Sequence, residues 1–422
     1  MNKIKNGKIH YAWLVMFACI CIKTGSAAAV MCSLGNFVTP IVRELGCPVS
    51  AFTMVMSLEA ISMALFYTKS AKVLSTKRIG LVMGIASVFE IGGMALMSLY
   101  QNVYMFYFSA VMIGIAQAFT GYVAIPIVIN MWFRKKAGTV LGTVVAVGSV
   151  AGVVYNLMSA QLITGFGWRT AYLILSLIAA IVTLPAVFLI IKSPKEVGVQ
   201  PYGAEDEQAD APQGEGLKDK VWGLTKKQAF SAVFLYLAWM ACLCYSYGSG
   251  VSGYIANFST MELGQSTNFG AYAGTAMSVG TIISSLVLGV LNDKFGVISG
   301  MLWGAVTNGI GYAVMFLSFQ NPMFVLPAAF FVGLSASMYG VQCPLLARSI
   351  VGDKHYSDIW AIMMIPNSLI GGGLYFSIGL FYDKLGSYRG AFIMSICLHM
   401  AALLLGILAM KISRSKRNVI AA

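Results

Sequence analysis

Apolar stretches of roughly twenty or more residues recur along the whole chain, each long enough to cross a hydrocarbon core about 30 Å thick. Such a core holds no water to bond exposed N–H and C=O groups. A crossing backbone must therefore close on itself as a helix or a barrel. The runs here are continuous rather than alternating, which selects helices over strands. Charged residues make up only 10% of the 422-residue chain, against about a quarter in soluble proteins. The long run after the basic start MNKIKNGKIH has no small-residue cleavage site, and reads as a retained first span rather than a signal peptide. The expectation is an all-α membrane protein.

Twelve spans are predicted, near residues 11–37, 50–68, 79–100, 103–131, 137–164, 169–191, 228–256, 268–291, 297–318, 322–347, 357–380 and 388–411. A polar segment from Ser193 to Leu224, with Pro194, Pro201 and Pro212 and the acids Glu205, Asp206, Glu207 and Asp210, divides them and is expected to be mobile. This predicts an amino-terminal six-helix bundle over 1–192, a linker over 193–226 and a carboxy-terminal six-helix bundle over 227–422. The halves also resemble each other. Trp168-Arg169-Thr170-Ala171-Tyr172 opens the sixth span, and Tyr388-Arg389-Gly390-Ala391-Phe392 opens the twelfth, 220 residues later. Two parallel repeats describe a rocking transporter whose site lies at the repeat interface near the midplane.

With the amino terminus inside, 23 of the 28 lysines and arginines fall in cytoplasmic segments and four outside. That bias predicts a multi-pass protein of the plasma (cytoplasmic) membrane with both termini cytoplasmic. It also accounts for the net charge of +13, so nucleic acid is not an expected partner. No G-x-x-x-x-G-K-[ST] motif is present, which argues against ATP-driven pumping. The C-x-C pairs Cys19/Cys21 and Cys242/Cys244 read as small packing residues rather than metal ligands. No cofactor or metal is expected, and no convergent nucleophile, base or acid set suggests an enzyme.

One span carries an exception. Lys23 lies in the middle of FACICIKTGSAAAV, with no other charge between Ile9 and Val42. It sits about 18 Å into its helix, Glu59 about 14 Å into the second and Glu90 about 17 Å into the third. Intramembrane charges are costly and usually face a partner, water or a substrate. Three roles are open to Lys23: binding an anionic substrate, pairing with Glu59, or neither. A buried carboxyl trades desolvation against a nearby cation, so occupancy of the site can switch the protonation of Glu59 or Glu90. Arg348, at a span end, is placed to snorkel. Neutral candidates to line the site are Gln117, Tyr122, Tyr245, Tyr247, Tyr339, Gln342 and Asn367, with Asn156 and Tyr375 from flanking spans. Tyrosine hydroxyls and amides orient a carboxylate without adding charge. His399 reads as a packing histidine.

The loop Gly289-Val290-Leu291-Asn292-Asp293-Lys294-Phe295-Gly296 resembles the G-x-x-x-D-[RK]-x-G signature of the major facilitator superfamily, with Gly289, Asp293 and Lys294 as a gate loop. Its counterpart Ser70–Arg78 lacks the acid. Tyr11-Ala12-Trp13, Trp132–Gly138 with Gly142, Gly148 and Gly152, Ser193–Gly198 and Tyr382–Tyr388 resemble the oxalate/formate antiporter and monocarboxylate transporter branch. The resemblance implies twelve helices in two pseudo-repeats and carriage of a small organic anion by alternating access. Symport with protons or antiport by exchange would both fit. Basic residues expected by that branch in spans 8 and 11 are absent, which argues against oxalate, and the Asp/Arg pair that the resemblance to monocarboxylate transporters implies in span 8 is absent too. The branch's span 1 lysine would fall near Met31, so its role is not carried to Lys23. A proton-coupled carrier of a neutral or amphipathic solute and a transport-fold ligand sensor are the alternatives. The fold needs no partner subunit, so a functional monomer is expected.

Overall fold

A computed structural model of the chain describes residues 10–47, 49–76, 78–204, 223–369 and 386–420. Twelve helical spans account for nearly all of it. They are α1 (11–45), α2 (Val49–Thr76), α3 (Ile79–Leu99), α4 (Val103–Trp132), α5 (137–166), α6 (168–190), α7 (Val233–Glu262), α8 (Thr267–Phe295), α9 (Val297–Leu317), α10 (Pro322–Val351), α11 (356–369) and α12 (Arg389–Ile420). α5 and α6 form one helical stretch of 54 residues. At 1.5 Å per residue it would be about 80 Å long, far beyond one crossing. It turns at Gly167, whose φ of 78° and ψ of 161° are non-helical.

Several helices run past the predicted apolar limits. α1 continues to Leu45 and stops where Gly46 turns left-handed at φ 62°, a common helix stop. Apolarity marks the hydrocarbon, whereas the cap decides where hydrogen bonding ends. The seventh span starts later than predicted, at Val233, because the capping box of Thr225 and Gln228 first makes a separate turn, Lys226–Phe230. The expected linker also has docked ends. Ser193 and Glu196 cap the short helix Pro194–Val197, and Tyr202 bonds to the backbone of Trp132 and Arg134. Leu224 N donates to Val351 O at 2.9 Å.

The two repeats are visible in matching contacts. Glu44, at the end of α1, accepts from Trp168 and Arg169 at the start of α6. Glu262, at the end of α7, accepts from Ser387 and from Tyr388 N at the start of α12. Asn102 and Asn321 cap the starts of α4 and α10 in the same way. Glu90 and Asn308 each lie eleven residues into α3 and α9, and both are buried.

Aliphatic clusters hold each half, and a further one joins them, bringing Tyr67, Ala118 and Ile127 against Ala241, Leu288 and Met338. The closest approach between halves is the crossing of α5 and α8. A Cβ on Gly142 would lie 2.2 Å from Ser285 O, and one on Gly289 would lie 2.6 Å from Gly138 O. Glycine lets these backbones touch. Gly289→Ala is therefore expected to separate α5 from α8 and cost about 1–3 kcal/mol, the usual overpacking range. A lowered thermal midpoint of the purified protein is the measurement.

Candidate functional site

A cavity of about 370 Å³ lies between the halves, walled by α1, α4, α5, α8 and α10. Its polar wall is Lys23, Tyr122, Ser149, Thr281, Ser337 and Tyr339. The first and last of these come from irregular helix. Residues Lys23–Ala27 form a π-helical turn in α1, and Met338–Gln342 form another in α10. π turns inside helices mark functional sites often. Tyr122 sits in a break of α4, after Gly121 leaves helical geometry at φ −97°, ψ −136°. Three disrupted helices thus deliver the three most distinctive side chains.

Lys23 Nζ lies 4.5 Å from the centroid of the Tyr122 ring. A desolvated cation on an aromatic face gains about 2 kcal/mol. The Tyr122 and Tyr339 rings meet at 5.2 Å. The aliphatic stem of Lys23 runs over Gly148, where a Cβ would come 2.4 Å from Lys23 Cγ. Among the described residues Lys23 makes no ion pair, with Glu59 or any other acid.

Two carboxyls are also buried in this half. Glu90 is 0% exposed and Glu59 is 9% exposed. Gln117, 4% exposed, faces both carboxyls, yet its Nε2 has no hydrogen bond of good geometry. Thr120 Oγ1 donates to Glu90 Oε2 at 3.0 Å, and Glu90 Oε1 is left without a partner. In the other repeat, Asn308 fills the matching position and bonds to Ser335 and Ser395. A neutral amide is sufficient to pack that place.

The other expected site residues lie elsewhere. Gln342 faces away from the cavity: its Nε2 donates to Val297 O at 2.7 Å, and its Oε1 accepts from Asn292 at 2.8 Å. Tyr245 is fully buried against the His399 ring, 5.5 Å away, and His399 Nδ1 meets Ser395 O at 3.0 Å. Tyr247 packs against a cluster of α7, α9 and α10. Asn367 is buried in α11, its Nδ2 3.8 Å from Met364 Sδ. Asn156 accepts from Asn36 at 2.9 Å within the first half. Tyr375 lies outside the described residues. Period and depth place a residue along a helix but leave its facing open, so these candidates dispersed. Thr281, Ser337 and Ser149, absent from the sequence prediction, line the cavity because α5 and α8 meet there.

The end of the molecule bearing most of the basic loops is closed. Asp293 of α8 accepts from Gly138 N at 2.9 Å and Thr139 N at 2.6 Å, at the start of α5. The preceding residue, Lys136, is left-handed at φ 62° and supplies no side-chain cap. A carboxylate from the opposite half thus caps this helix, where orphan N–H groups favour an anion. Lys294 is exposed. Beside this contact, Asp353 pairs with Arg134 across the halves and with Arg348 Nε at 2.8 Å. Arg348 also donates to Phe133 O at 3.3 Å. It does not snorkel, because a carboxylate five residues on meets its guanidinium. The short R-x-x-x-x-D spacing was the only sequence signal for this group.

A family model for the Major Facilitator Superfamily matches residues 15–277 and 239–421. The chain belongs to the major facilitator superfamily. Among curated proteins, the MFS-type transporter pytF of Aspergillus terreus is 25% identical over 204 residues, covering 48% of this chain and 62% of that protein. The match thus spans less than two thirds of that relative's length. A bacterial homologue of the iron transporter ferroportin, in its outward-facing state, shares the fold with a TM-score of 0.66 at 13% identity, over 96% of this chain and 100% of that one. The proton:xylose symporter XylE matches with a TM-score of 0.65 at 14% identity, over 93% and 94%. The family match makes this a multi-pass membrane protein of a transporter family rather than an enzyme, and the solved structures share its fold.

Two outcomes follow from the geometry. Gly148→Ala is expected to push Lys23 off the Tyr122 ring and impair transport as Lys23→Gln does, with the purified protein still monodisperse by gel filtration. The second concerns pH. Burial raises the proton affinity of Asp353, but Arg348's hydrogen bonds and the charges of Arg348 and Arg134 outweigh it, holding this loop carboxyl below its usual value. A lowered folded value means the pair's contribution is complete above the unfolded aspartate value and lost as pH falls through the folded one. Closure at this end, followed by cross-linking engineered cysteines, should therefore be unchanged from about pH 8 to about pH 5, since the unfolded value is about 3.9.

Proposed function

We propose that this protein carries a small, monocarboxylate-like organic anion across the plasma membrane by alternating access. The observation that carries this reading is the Lys23 ammonium, set in the cavity between the halves without an ion-pair partner among the described residues. Cavities of a few hundred Å³ suit small ligands. The ammonium supplies the anion's charge partner, and the hydroxyls of Tyr122, Tyr339, Ser149, Thr281 and Ser337 supply orientation. The halves, 1–192 and 227–422, are the moving bodies, and the glycine crossing of α5 and α8 is their bearing. The lysine and arginine bias supports cytoplasmic termini, so the Asp293 and Asp353 contacts close the cytoplasmic side.

Glu59 and Glu90 are the proposed coupling groups. With Lys23 charged, one bound proton makes the three groups electroneutral, and an arriving anion adds a charge that a second proton would offset. The amide at Asn308 supports this assignment, since the repeat does not require a carboxyl there for packing. A second reading, proton-coupled carriage of a neutral or amphipathic solute, draws on the apolar remainder of the wall, including Ala27, Ile125, Val144 and Val145.

Uptake of acetate, lactate and benzoate into proteoliposomes, with and without a pH gradient, tests the anion reading against a neutral panel. Transport of neutral solutes alone would sink it. Lys23→Gln should weaken carboxylate affinity by roughly tenfold or more, the loss of one charge-assisted hydrogen bond. Glu90→Gln should abolish gradient-driven uptake while leaving carboxylate exchange in place. If gradient-driven uptake persists in both Glu59→Gln and Glu90→Gln, the coupling assignment is wrong.

A further inference from the structure

Among the described residues, the closure group at the basic end is unbalanced in charge. Two guanidiniums, Arg134 and Arg348, share the single carboxylate of Asp353. Arg348 grips it with a fork, Nε to Oδ1 at 2.8 Å and Nη2 to Oδ2 at 3.3 Å. Asn130 faces the same carboxylate, and its own Oδ1 is buried without a partner. All three charged side chains are more than four-fifths shielded, with exposures of 17%, 18% and 19%.

Arg348 and Asn130 wall a small void of about 10 Å³, together with Pro126 and Leu141. Pro126 and Leu141 also wall the Lys23 cavity, so the guanidinium lies on the basic-end side of that cavity's neighbours.

We infer that Arg134 and Arg348 form a second carboxylate site, a transit station that Asp353 occupies while this end is closed. This rests on the anion reading above and extends it to a second site. Arginine binds carboxylates through a planar fork, and the fork does not distinguish a side-chain carboxylate from a solute's. Asp353 is thus an internal stand-in for the substrate's own group. When the halves part, Arg134 leaves Asp353, and the excess guanidinium takes the solute carboxylate. The exchange keeps the two cations paired at each stage, which avoids leaving a desolvated charge alone. A monocarboxylate matches the single excess charge of the group.

The alternative is a latch, in which the pair merely holds the halves together. The two ideas part on direction. Asp353→Asn and Arg134→Gln both break the pair between halves. A latch predicts that both shift anion affinity the same way. A station predicts opposite shifts, because one variant frees the fork and the other removes half of it.

The experiment measures equilibrium binding of radiolabelled lactate and benzoate to the purified full-length protein at fixed ionic strength, in the Lys23→Gln background. Adding Asp353→Asn should tighten binding by roughly threefold or more, the scale of one charge-assisted contact. Adding Arg134→Gln should weaken it. Equal values, or shifts in the same direction, overturn the station. Should Asp353→Asn fail to accumulate, Arg348→Lys replaces it, since it leaves the Arg134–Asp353 pair intact and removes only the fork. Weaker binding then supports the station, and unchanged binding overturns it. The anion reading is judged separately, by wild type against Lys23→Gln alone. If those two bind carboxylates equally, that reading falls, whatever the double variants show.

Discussion

A single ammonium in the hydrocarbon layer costs several kcal/mol unless something receives it. Much of the architecture around Lys23 can be understood as its reception. The π turn at Lys23–Ala27 sets the side chain toward the interface. Gly148 clears a path for its stem, and the Tyr122 ring offers a quadrupole rather than a counter-charge. Among the described residues this leaves the ammonium stabilised without an ion pair.

Closure of the basic end depends on the same economy of charge. α5 begins after a left-handed Lys136 that cannot cap it, so the helix start is completed from the other half by Asp293. The contact is short and charge-assisted, and it exists only while α5 and α8 are pressed together at Gly138, Gly142 and Gly289. Packing and hydrogen bonding coincide here: the cap lies beside glycine surfaces with no side chains to interlock. The Arg134–Asp353 pair adds a second polar contact at the same end. Interfaces held by few, replaceable polar contacts suit a two-state rocking motion better than an interlocked apolar core.

The repeats show how one scaffold was differentiated. Glu44 and Glu262 tie the ends of α1 and α7 to the starts of α6 and α12 in the same manner. Inside the membrane the matching positions diverge. The first half holds Glu90, Glu59 and Lys23, while the second holds Asn308 with Ser335 and Ser395. Ionisable chemistry is concentrated in one half and neutral hydrogen bonding in the other. The halves meet at the cavity, where Lys23 and Tyr339 face each other from opposite repeats.

Much of this was legible in the sequence. Run length and continuity determine helices, because lipid permits little else. The lysine and arginine bias predicts sidedness, and the matched motifs announce the repeat. The depth of Lys23, Glu59 and Glu90 follows from a constant rise per residue, whereas Gly289 and Asp293, expected in a loop, lie inside α8, and the chain turns only at Gly296. What the linear chain does not encode locally is direction around each helix axis. Gln342 and Tyr245 have the right depth but face their own half, whereas Thr281 and Ser337 reach the cavity through the meeting of α5, α8 and α10. The pairing of Arg134 with Asp353, 219 residues apart, arises only when the helices pack. A rise per residue is a local property, but a facing is set by neighbours, and in a bundle those neighbours come from the far end of the chain.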